Sequence, residues 1–371
     1  MEILVISLVI LFALAFSVSN GRSDAANAIA TVISTRVLSP WTAVAFGAIL
    51  NLVGAMYSDK VANTIGNKIA HTSIEDPLPM LVFLAAVVVA PIWITLCTMR
   101  GLPISCSHSL MGGLIGSVLA AVADFGLAWK ELGLKHYGAA VSALGLKGEG
   151  IWMIIIGAFI APVAGFAIGY VVILAVAWGF RRMRPTKASW IFGKIQVLSA
   201  GAMAIAHGTG DAQKAMGLIC GALLAGQAAG HHTLDWLIPS GGMLTPDQHL
   251  VIPVWVRLIC ALTMAAGTAL GGWAVIRTVG TRLAHLKPYQ GFAAETAASA
   301  TIMVNTLTFG IPISTTHSIT GSIMGVGAAK GVRAVKWGVG KKIVFAWVFT
   351  FPVCILGGAA VYWLLRLMRM G

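Results

Sequence analysis

The chain has 371 residues, of which 58% are hydrophobic and only 10% are charged, and its mean hydropathy is +0.88. Soluble domains carry about 25% charged residues, so this composition excludes an ordinary soluble protein. The formal net charge of +13 would favour nucleic-acid binding in a soluble chain. In a membrane protein it is typical of basic loops retained in the cytoplasm, so we expect no nucleic-acid partner.

Apolar runs long enough to cross a bilayer, which takes about 20 residues, recur along the chain. They occupy residues 3–19, 78–98, 151–180, 251–276 and 343–365. The first run has no basic leader, since Met1 is followed by Glu2, and we interpret it as a mature helix rather than a signal peptide. The five cysteines are scattered and lack metal-binding spacing, so we expect neither a metal cluster nor a disulfide. The sequence predicts an all-α polytopic membrane protein.

The first apolar run continues into the polar sequence GRSDAANAIATVISTR, residues 21–36. One face of the predicted helix carries side chains at i, i+3, i+7 and i+11, namely Asp24, Asn27, Thr31 and Thr35. A carboxylate inside a membrane segment is costly and indicates a function by default. Asp24 would offer oxygen ligands to a cation, together with Asn27 and Thr31, or would accept a proton. The alternative is an interfacial helix end with an arginine beside the carboxylate.

The next polar motif is GLPISCSHS, residues 101–109. Its Gly and Pro interrupt the preceding helix, and Ser105, Cys106 and Ser107 would begin a new one inside the membrane. The N-terminus of a helix presents free N–H groups and a partial positive charge, which together bind anions. These three residues therefore predict an anion site, and a simple kink is the alternative. We expect His108 to brace the turn rather than bind substrate.

A basic segment, 181–194, divides the chain into two halves of similar length. We predict a first transmembrane repeat over 1–180, a basic central loop over 181–194 and a second repeat over 195–371. Two motif pairs support the duplication. Residues 101–116 match 310–325 at 8 of 16 positions with an offset of 209, and residues 21–28 match 208–215 at 4 of 8 with an offset of 187.

The second copy of the acidic motif keeps the carboxylate but changes its neighbour. Asp211 corresponds to Asp24, whereas Lys214 stands where the first copy has Asn27. An ammonium group three residues along a helix would hold Asp211 ionised and would take the space and charge of a bound cation. Lys214 would alternatively face the anion directly. Two further polar side chains accompany this motif in supporting roles, His207 and Gln213.

The second copy of the hairpin motif is GIPISTTHS, residues 310–318. It offers Ser314, Thr315 and Thr316 to an anion in the way proposed for the first copy, with His317 as the bracing residue. Glu295 precedes the motif within an apolar stretch. It would bind a cation or form hydrogen bonds between helices.

Duplicated halves with interrupted apolar segments are typical of secondary transporters, whose substrate site lies at the interface between repeats. The loop at 124–149 has no net charge, whereas 330–342 carries five basic residues and no acid, which favours opposite sides of the membrane. We therefore predict two inverted structural repeats, each with a broken helix or re-entrant hairpin, whose tips meet at the membrane midplane.

The four motifs together resemble the inorganic phosphate transporter (PiT) family and its bacterial low-affinity permeases. That family carries Gly-x-[Asn/His]-Asp-x-x-Asn-Ala and His-Gly-x-Asn-Asp signatures, each followed by Pro-x-Ser-[Ser/Thr]-[Ser/Thr]-His. Here they correspond to residues 21–28, 207–214, 103–108 and 312–317. The resemblance implies an inverted-repeat symporter of the bacterial inner membrane that binds phosphate near the hairpin tips and cations near the two Asp motifs.

Three departures from the family pattern bear on the cargo. Ser23 and Gly210 replace side chains that would bind a cation, and Cys106 replaces a hydroxyl donor. The first two departures, together with the Gln213–Lys214 pair, which resembles the bacterial proton-linked branch of the family, favour proton over sodium coupling. The third weakens one anion donor. The family also includes sulfate permeases, so sulfate is the alternative anion.

Functions of other classes remain less favoured. A membrane hydrolase would need a nucleophile motif that the chain lacks, and an anion channel would be poorly served by Asp24 and Glu295. We expect no organic cofactor, only H+ or Na+ as coupling ion, and a homodimer in the lipid bilayer.

Overall fold

The computed structural model describes residues 2–69, 80–129, 149–228, 230, 232–245, 247, 249–311 and 313–368. These residues are almost wholly helical. The first half contains helices α1 Glu2–Ser34, α2 Pro40–Ala55, α3 Lys60–Asn63, α4 Met80–Met99, α5 Cys106–Trp129 and α6 Glu149–Gly179. The second half contains α7 Pro185–Ala228, α8 Val254–Leu270, α9 Trp273–Arg277, α10 Pro288–Val304, α11 Thr315–Lys330 and α12 Trp337–Leu367. Helices α3, α9 and α10 each continue into a π-helical turn, over Thr64–Ile69, Thr278–Arg282 and Asn305–Phe309.

Five of the described helices are long and apolar enough to cross a membrane, or up to seven if each of two bent pairs forms one span. The all-helical, multi-pass prediction is therefore confirmed. The run at 251–276, expected as one continuous segment, is instead split into α8 and α9, which are bent by 61°. The break falls at Gly271 and Gly272, because two adjacent glycines favour helix termination.

The basic segment at 181–194 is not a loop throughout. Residues 180–184 form the turn between α6 and α7, and Pro185 begins α7. Proline is favoured in the first turn of a helix because its fixed φ suits the helix and its missing N–H needs no partner there. The remaining basic residues of the segment therefore extend α7 beyond its apolar part. Most of the loop expected at 124–149 falls on residues 130–148, which lie outside the described residues.

Two helical hairpins, α4–α5 and α10–α11, turn back near the repeated Gly-x-Pro-Ile-Ser motifs. The turns contain Gly101 at φ 68° and Gly310 at φ 63°, a left-handed conformation that residues with a Cβ rarely adopt. These two glycines are equivalent at the offset of 209. Pro312, the proline of the second motif, lies outside the described residues.

The two halves pack against each other through reciprocal contacts. A Cβ on Gly21 of α1 would lie 2.2 Å from the Met264 carbonyl oxygen of α8, and one on Gly208 of α7 would lie 2.2 Å from the Asn51 carbonyl oxygen of α2. Gly21 and Gly208 are equivalent at the offset of 187. Small residues allow such close backbone approach between membrane helices. Each half therefore uses the same glycine to contact the other half.

Basic residues gather at one end of the helices. The ring centroid of Phe192 lies 5.5 Å from that of Phe292, which sets the start of α7 beside the start of α10. The Lys336 N–H donates to the Leu283 carbonyl oxygen at 3.1 Å, which brings the start of α12 to the same end. The connecting segments 180–195, 277–287 and 330–342 contain no Asp or Glu. This end therefore carries a strong positive charge.

Candidate functional site

The tips of the two hairpins meet in the interior of the protein. The Ser107 hydroxyl at the start of α5 donates to the Ile313 carbonyl oxygen just before α11 at 3.0 Å. Ser105 accepts a hydrogen bond from the His108 N–H at 3.1 Å, and Ser314 accepts one from the His317 N–H at 3.2 Å. Both helices therefore begin at their repeated serines, which confirms the predicted helix starts.

Each tip presents donors to the space between the halves. Helix geometry leaves the N–H groups of the first residues without an intrahelical acceptor, and the serine caps use only one of them per helix. In α5 these first residues are Cys106 and Ser107, and in α11 they are Thr315 and Thr316, all about 1% exposed. The two N-termini carry partial positive charge, which suits an anion.

The half of the site on α1 places a buried carboxylate against the hydroxyl groups of the α11 tip. The Thr316 hydroxyl donates to Asp24 Oδ1 at 3.0 Å. The Asn27 amide donates to the oxygens of Thr316 and Thr315 at 3.0 and 3.2 Å, while its own Oδ1 is buried and has no hydrogen-bond partner. Asp24 is only 2% exposed. Its charge is thus met here by neutral donors.

The half of the site on α7 contains a buried ion pair. Lys214 Nζ lies 2.6 Å from Asp211 Oδ1 and 2.5 Å from the Ser107 hydroxyl of the α5 tip. Both charged side chains are about 1% exposed. The pairing of Lys214 with Asp211 that the sequence indicated is therefore present. His207 adds its Nε2 at 3.5 Å from Asp211 Oδ2, and its Nδ1 lies 3.0 Å from Asn51 Oδ1.

Two groups join the half-sites. The Thr315 hydroxyl lies 3.4 Å from Oδ2 of Asp24 and 3.4 Å from Oδ2 of Asp211, so it can donate to only one of them at a time. Asn20, with its amide nitrogen facing the two carboxylates, donates to both at 3.1 and 3.2 Å. Sequence reasoning missed Asn20. Its signal was available, since the offset of 187 makes it equivalent to His207.

The two tip histidines pack against each other and against α12. Their ring centroids are 4.6 Å apart; His317 lies 3.7 Å from the Trp347 ring and His108 lies 4.7 Å from Phe351. The Trp347 indole N–H in turn donates to the Pro103 carbonyl oxygen at 2.9 Å. These aromatic contacts favour the bracing role expected for both histidines.

Glu295 lies in a separate buried cluster between α1, α7 and α10. It accepts hydrogen bonds from the hydroxyl groups of Thr31 and Ser199 and from the Gln196 amide, the last at 3.2 Å. Thr31, predicted to share a site with Asp24, thus contacts Glu295. Ser199 and Gln196 were not singled out in the sequence. The cross-helix bonding foreseen for Glu295 is present, and its role with a cation stays a prediction.

Gln213 contacts the backbone rather than the tips. Its Oε1 accepts from the N–H groups of Val61 and Ala62 at 2.7 and 3.1 Å, at the start of α3, and its amide donates to the Thr209 carbonyl oxygen at 2.6 Å. It therefore caps α3 and ties that short helix to α7, which is a supporting role.

The electrostatics of the site suit small charged cargo. Ligand atoms of Asp24, His207 and Asp211 all lie within 4.8 Å of one another, so carboxylate and imidazole groups converge beside two helix N-termini. Cation ligands and anion donors are thus in contact within one buried space. Such an arrangement can bind a cation and an oxyanion together.

Comparisons with known proteins agree with the family resemblance seen in the sequence motifs. A sequence model described as the phosphate transporter family matches residues 20–358. A "probable low-affinity inorganic phosphate transporter" of Rhizobium meliloti (strain 1021) is 38% identical over 94% of this chain and 93% of its own length. A protein of Bacillus subtilis (strain 168) with the same name is 35% identical over 99% of both chains. A solved structure named "The sodium-dependent phosphate transporter" shares the fold with a TM-score of 0.81, at 23% identity over 98% of this chain and 99% of that chain.

Proposed function

Because this chain belongs to the phosphate transporter family, a family of membrane transporters rather than enzymes, we propose that it is a secondary active transporter of inorganic phosphate. It carries phosphate across a bacterial inner membrane together with a coupling cation, which we take to be a proton rather than sodium. The strongest support comes from the hydroxyl groups at the α11 tip. They belong to the predicted anion site and also lie within hydrogen-bond reach of the Asp24 carboxylate.

Coupling follows from the number of hydroxyl protons. Thr315 and Thr316 each have one O–H donor, and both lie within reach of Asp24. A hydroxyl that donates to the carboxylate cannot donate to an oxyanion at the same time. When a cation or proton neutralises Asp24, the hydroxyls are released and turn to the anion. Cation binding therefore raises the affinity for phosphate, and linkage makes the effect reciprocal.

The donor set explains how a divalent or monovalent phosphate is held. The N-termini of α5 and α11 contribute N–H groups from opposite halves, and the Lys214 ammonium contributes a full charge beside Ser107. Phosphate retains a P–OH group near neutral pH, which can donate to a carboxylate such as Asp211. Sulfate has no such donor, so an acceptor in the site favours phosphate over sulfate.

The membrane arrangement follows from the basic end of the molecule. Basic segments stay in the cytoplasm, so α7, α10 and α12 begin on the cytoplasmic side. The α10–α11 hairpin then enters from the cytoplasm, and the predicted inverted repeat would have the α4–α5 hairpin enter from outside. Rocking of one half against the other around the paired tips would expose the site alternately to each side.

Proton coupling is supported by the neighbours of the two carboxylates. Ser23 and Gly210 lie next to Asp24 and Asp211 in sequence and provide a short hydroxyl and no side chain, so the site has fewer oxygen ligands for a metal ion than the family pattern would supply. A proton needs only a single acceptor. The Oδ1 of Asn27, which is buried and has no hydrogen-bond partner, would be a suitable ligand for sodium. A transport measurement therefore decides between the proton and sodium.

The test is uptake of labelled phosphate into proteoliposomes under a proton gradient or a sodium gradient, each imposed alone, with excess unlabelled sulfate as competitor. We expect uptake driven by protons and unaffected by sulfate. Sodium-driven uptake would overturn proton coupling while leaving phosphate symport intact. Uptake blocked by sulfate, or absence of phosphate uptake under either gradient, would assign the site to another tetrahedral oxyanion.

A further inference from the structure

Lys214 and Asn27 are equivalent residues with the same contact in opposite halves. Position 27 plus the offset of 187 gives 214, and position 107 plus the offset of 209 gives 316. Asn27 donates to the Thr316 hydroxyl at 3.0 Å, and Lys214 donates to the Ser107 hydroxyl at 2.5 Å. The duplication therefore repeats the contact and changes only the chemistry of the donor.

The second half contains a positive charge where the first half has none. Lys214 Nζ lies between a carboxylate oxygen of Asp211 at 2.6 Å and the Ser107 hydroxyl oxygen at 2.5 Å. A bound cation would take its ligands from the same two types of oxygen in the first half, from Asp24 and the Thr316 hydroxyl, which are in contact at 3.0 Å. The ammonium group thus lies where the equivalent cation would bind.

The first half also retains a spare oxygen that the second half lacks. Asn27 Oδ1 is buried without a hydrogen-bond partner, and an amide oxygen can accept a hydrogen bond from a protonated group as well as bind a metal cation. Lysine has donors and no acceptor, so position 214 offers no ligand atom. Within the described residues, Asp24 forms no ion pair of its own, whereas Asp211 pairs with Lys214.

We propose that Lys214 acts as a permanent substitute for a second coupling cation, so that the protein moves one cation with each phosphate rather than two. The proposal rests on the proposed function and adds a coupling ratio to it. Lys214 moves with the protein and is not released, so its charge contributes nothing to the driving force. The halves are therefore unequal, with one exchanging its cation in every cycle and the other holding its cation covalently.

The first experiment measures the coupling ratio in proteoliposomes from phosphate accumulation at steady state. The membrane voltage is clamped at zero, and phosphate is corrected for its protonation on each side. A tenfold cation gradient should concentrate phosphate roughly tenfold with one coupled cation and roughly a hundredfold with two. We expect roughly tenfold for the wild type. A hundredfold value in the wild type would overturn the proposal whether or not any variant folds.

Three variants exchange the two donors. Lys214→Asn should create a second cation site, and accumulation should rise toward roughly a hundredfold for the same gradient. Asn27→Lys should remove the remaining site, so that phosphate equilibrates without accumulation. The double variant Asn27→Lys with Lys214→Asn exchanges the roles and should return to a single coupled cation. A Lys214→Asn protein that transports with an unchanged ratio would contradict the proposal.

A binding measurement gives a readout that does not depend on transport. Thermal unfolding of detergent-solubilised protein is followed while the coupling ion is titrated in the presence of inorganic phosphate. The stabilisation should depend on about one bound cation in the wild type and about two in Lys214→Asn, and it should disappear in Asn27→Lys. Retained cation-dependent stabilisation in Asn27→Lys would refute the assignment of the exchangeable site to Asp24. Failure of the wild type to transport phosphate at all would instead defeat the proposed function.

Discussion

Asp24 and Asp211 occupy equivalent positions in the two halves, and both are almost fully buried, but their charges are stabilised in different ways. Asp24 accepts hydrogen bonds from neutral hydroxyl and amide groups, while Asp211 forms a 2.6 Å ion pair with Lys214. The duplicated fold determines where each carboxylate lies. Under the proposed mechanism, a single side chain three residues further along the helix determines whether that carboxylate needs an external cation. Substitutions of equivalent residues in the two halves should therefore have unequal effects.

The largest effect is expected from Asp24→Asn. The amide cannot be neutralised by a cation, so binding of the coupling ion no longer releases the tip hydroxyls. The initial rate of gradient-driven phosphate uptake into proteoliposomes should fall by at least about 100-fold, and steady-state accumulation should fall to the level reached without a gradient. Phosphate counterflow, which needs no gradient, should decrease less.

The matched control for this change is Asp59→Asn. Asp59 is half exposed and pairs with Arg257 at 3.8 Å on the surface, so the same chemical change there should leave uptake near the wild-type level. Wild-type accumulation by the Asp24→Asn protein would exclude Asp24 as the coupling group.

The next largest effect is expected on the free energy of unfolding, where the equivalent donors Lys214 and Asn27 can be compared. Lys214→Met removes one partner of a buried ion pair and should lower the free energy of unfolding by about 3–5 kcal/mol. Asn27→Leu breaks hydrogen bonds to Thr315 and Thr316 but leaves no unpaired charge, and should cost about 1–3 kcal/mol. Unfolding in detergent, followed by circular dichroism with increasing denaturant, measures both. Equal losses would show that the Asp211 charge is satisfied without Lys214.

A smaller and symmetric effect is expected at the two helix caps. Ser105→Ala and Ser314→Ala each remove one N-cap hydrogen bond, of 3.1 and 3.2 Å, and each should cost about 1 kcal/mol of stability. Both should also raise the KM for phosphate, because the tip donors lose their alignment.

Ser39 provides the control for the cap variants. It caps α2 away from the site by accepting from the Thr42 N–H at 3.3 Å. Ser39→Ala should reduce stability somewhat without changing the KM. An unchanged KM in both tip variants would show that the cap hydrogen bonds do not contribute to phosphate binding.

The smallest expected effect is an improvement, a lower KM for phosphate. Cys106 is equivalent to Thr315 at the offset of 209, and a thiol is a weaker donor than a hydroxyl. Cys106→Thr should therefore lower the KM for phosphate by roughly two- to fivefold, the value of about 0.5–1 kcal/mol from a single hydrogen bond. Cys220→Ser, in the apolar core of α7, is the control and should leave the KM unchanged. A higher KM in Cys106→Thr would indicate that the thiol is needed for its size.

Much of the site could be predicted from the sequence because its motifs occur twice, once in each half. The repeated Pro-Ile-Ser motifs indicated the helix starts at Ser105 and Ser314, and the repeated Gly-x-x-Asp motifs indicated the two carboxylates. Asn20 was missed although the offset of 187 identifies it, since one polar residue in an apolar run is a weak signal. Ser199 and Gln196 have no such duplicate, and only their contacts with Glu295 reveal them.

The sequence by itself determined the class of protein, the duplication, the cap residues and the i, i+3 pairing of Asp211 with Lys214. These properties depend on composition and on neighbours along one helix, so local spacing is sufficient. Only the tertiary structure decided that Asn27 meets Thr316, that Lys214 meets Ser107 and that Thr31 turns to Glu295 instead of Asp24. Each of these contacts joins residues more than 100 positions apart, and their partners are set by the close glycine-mediated packing of the two halves, which no local pattern encodes.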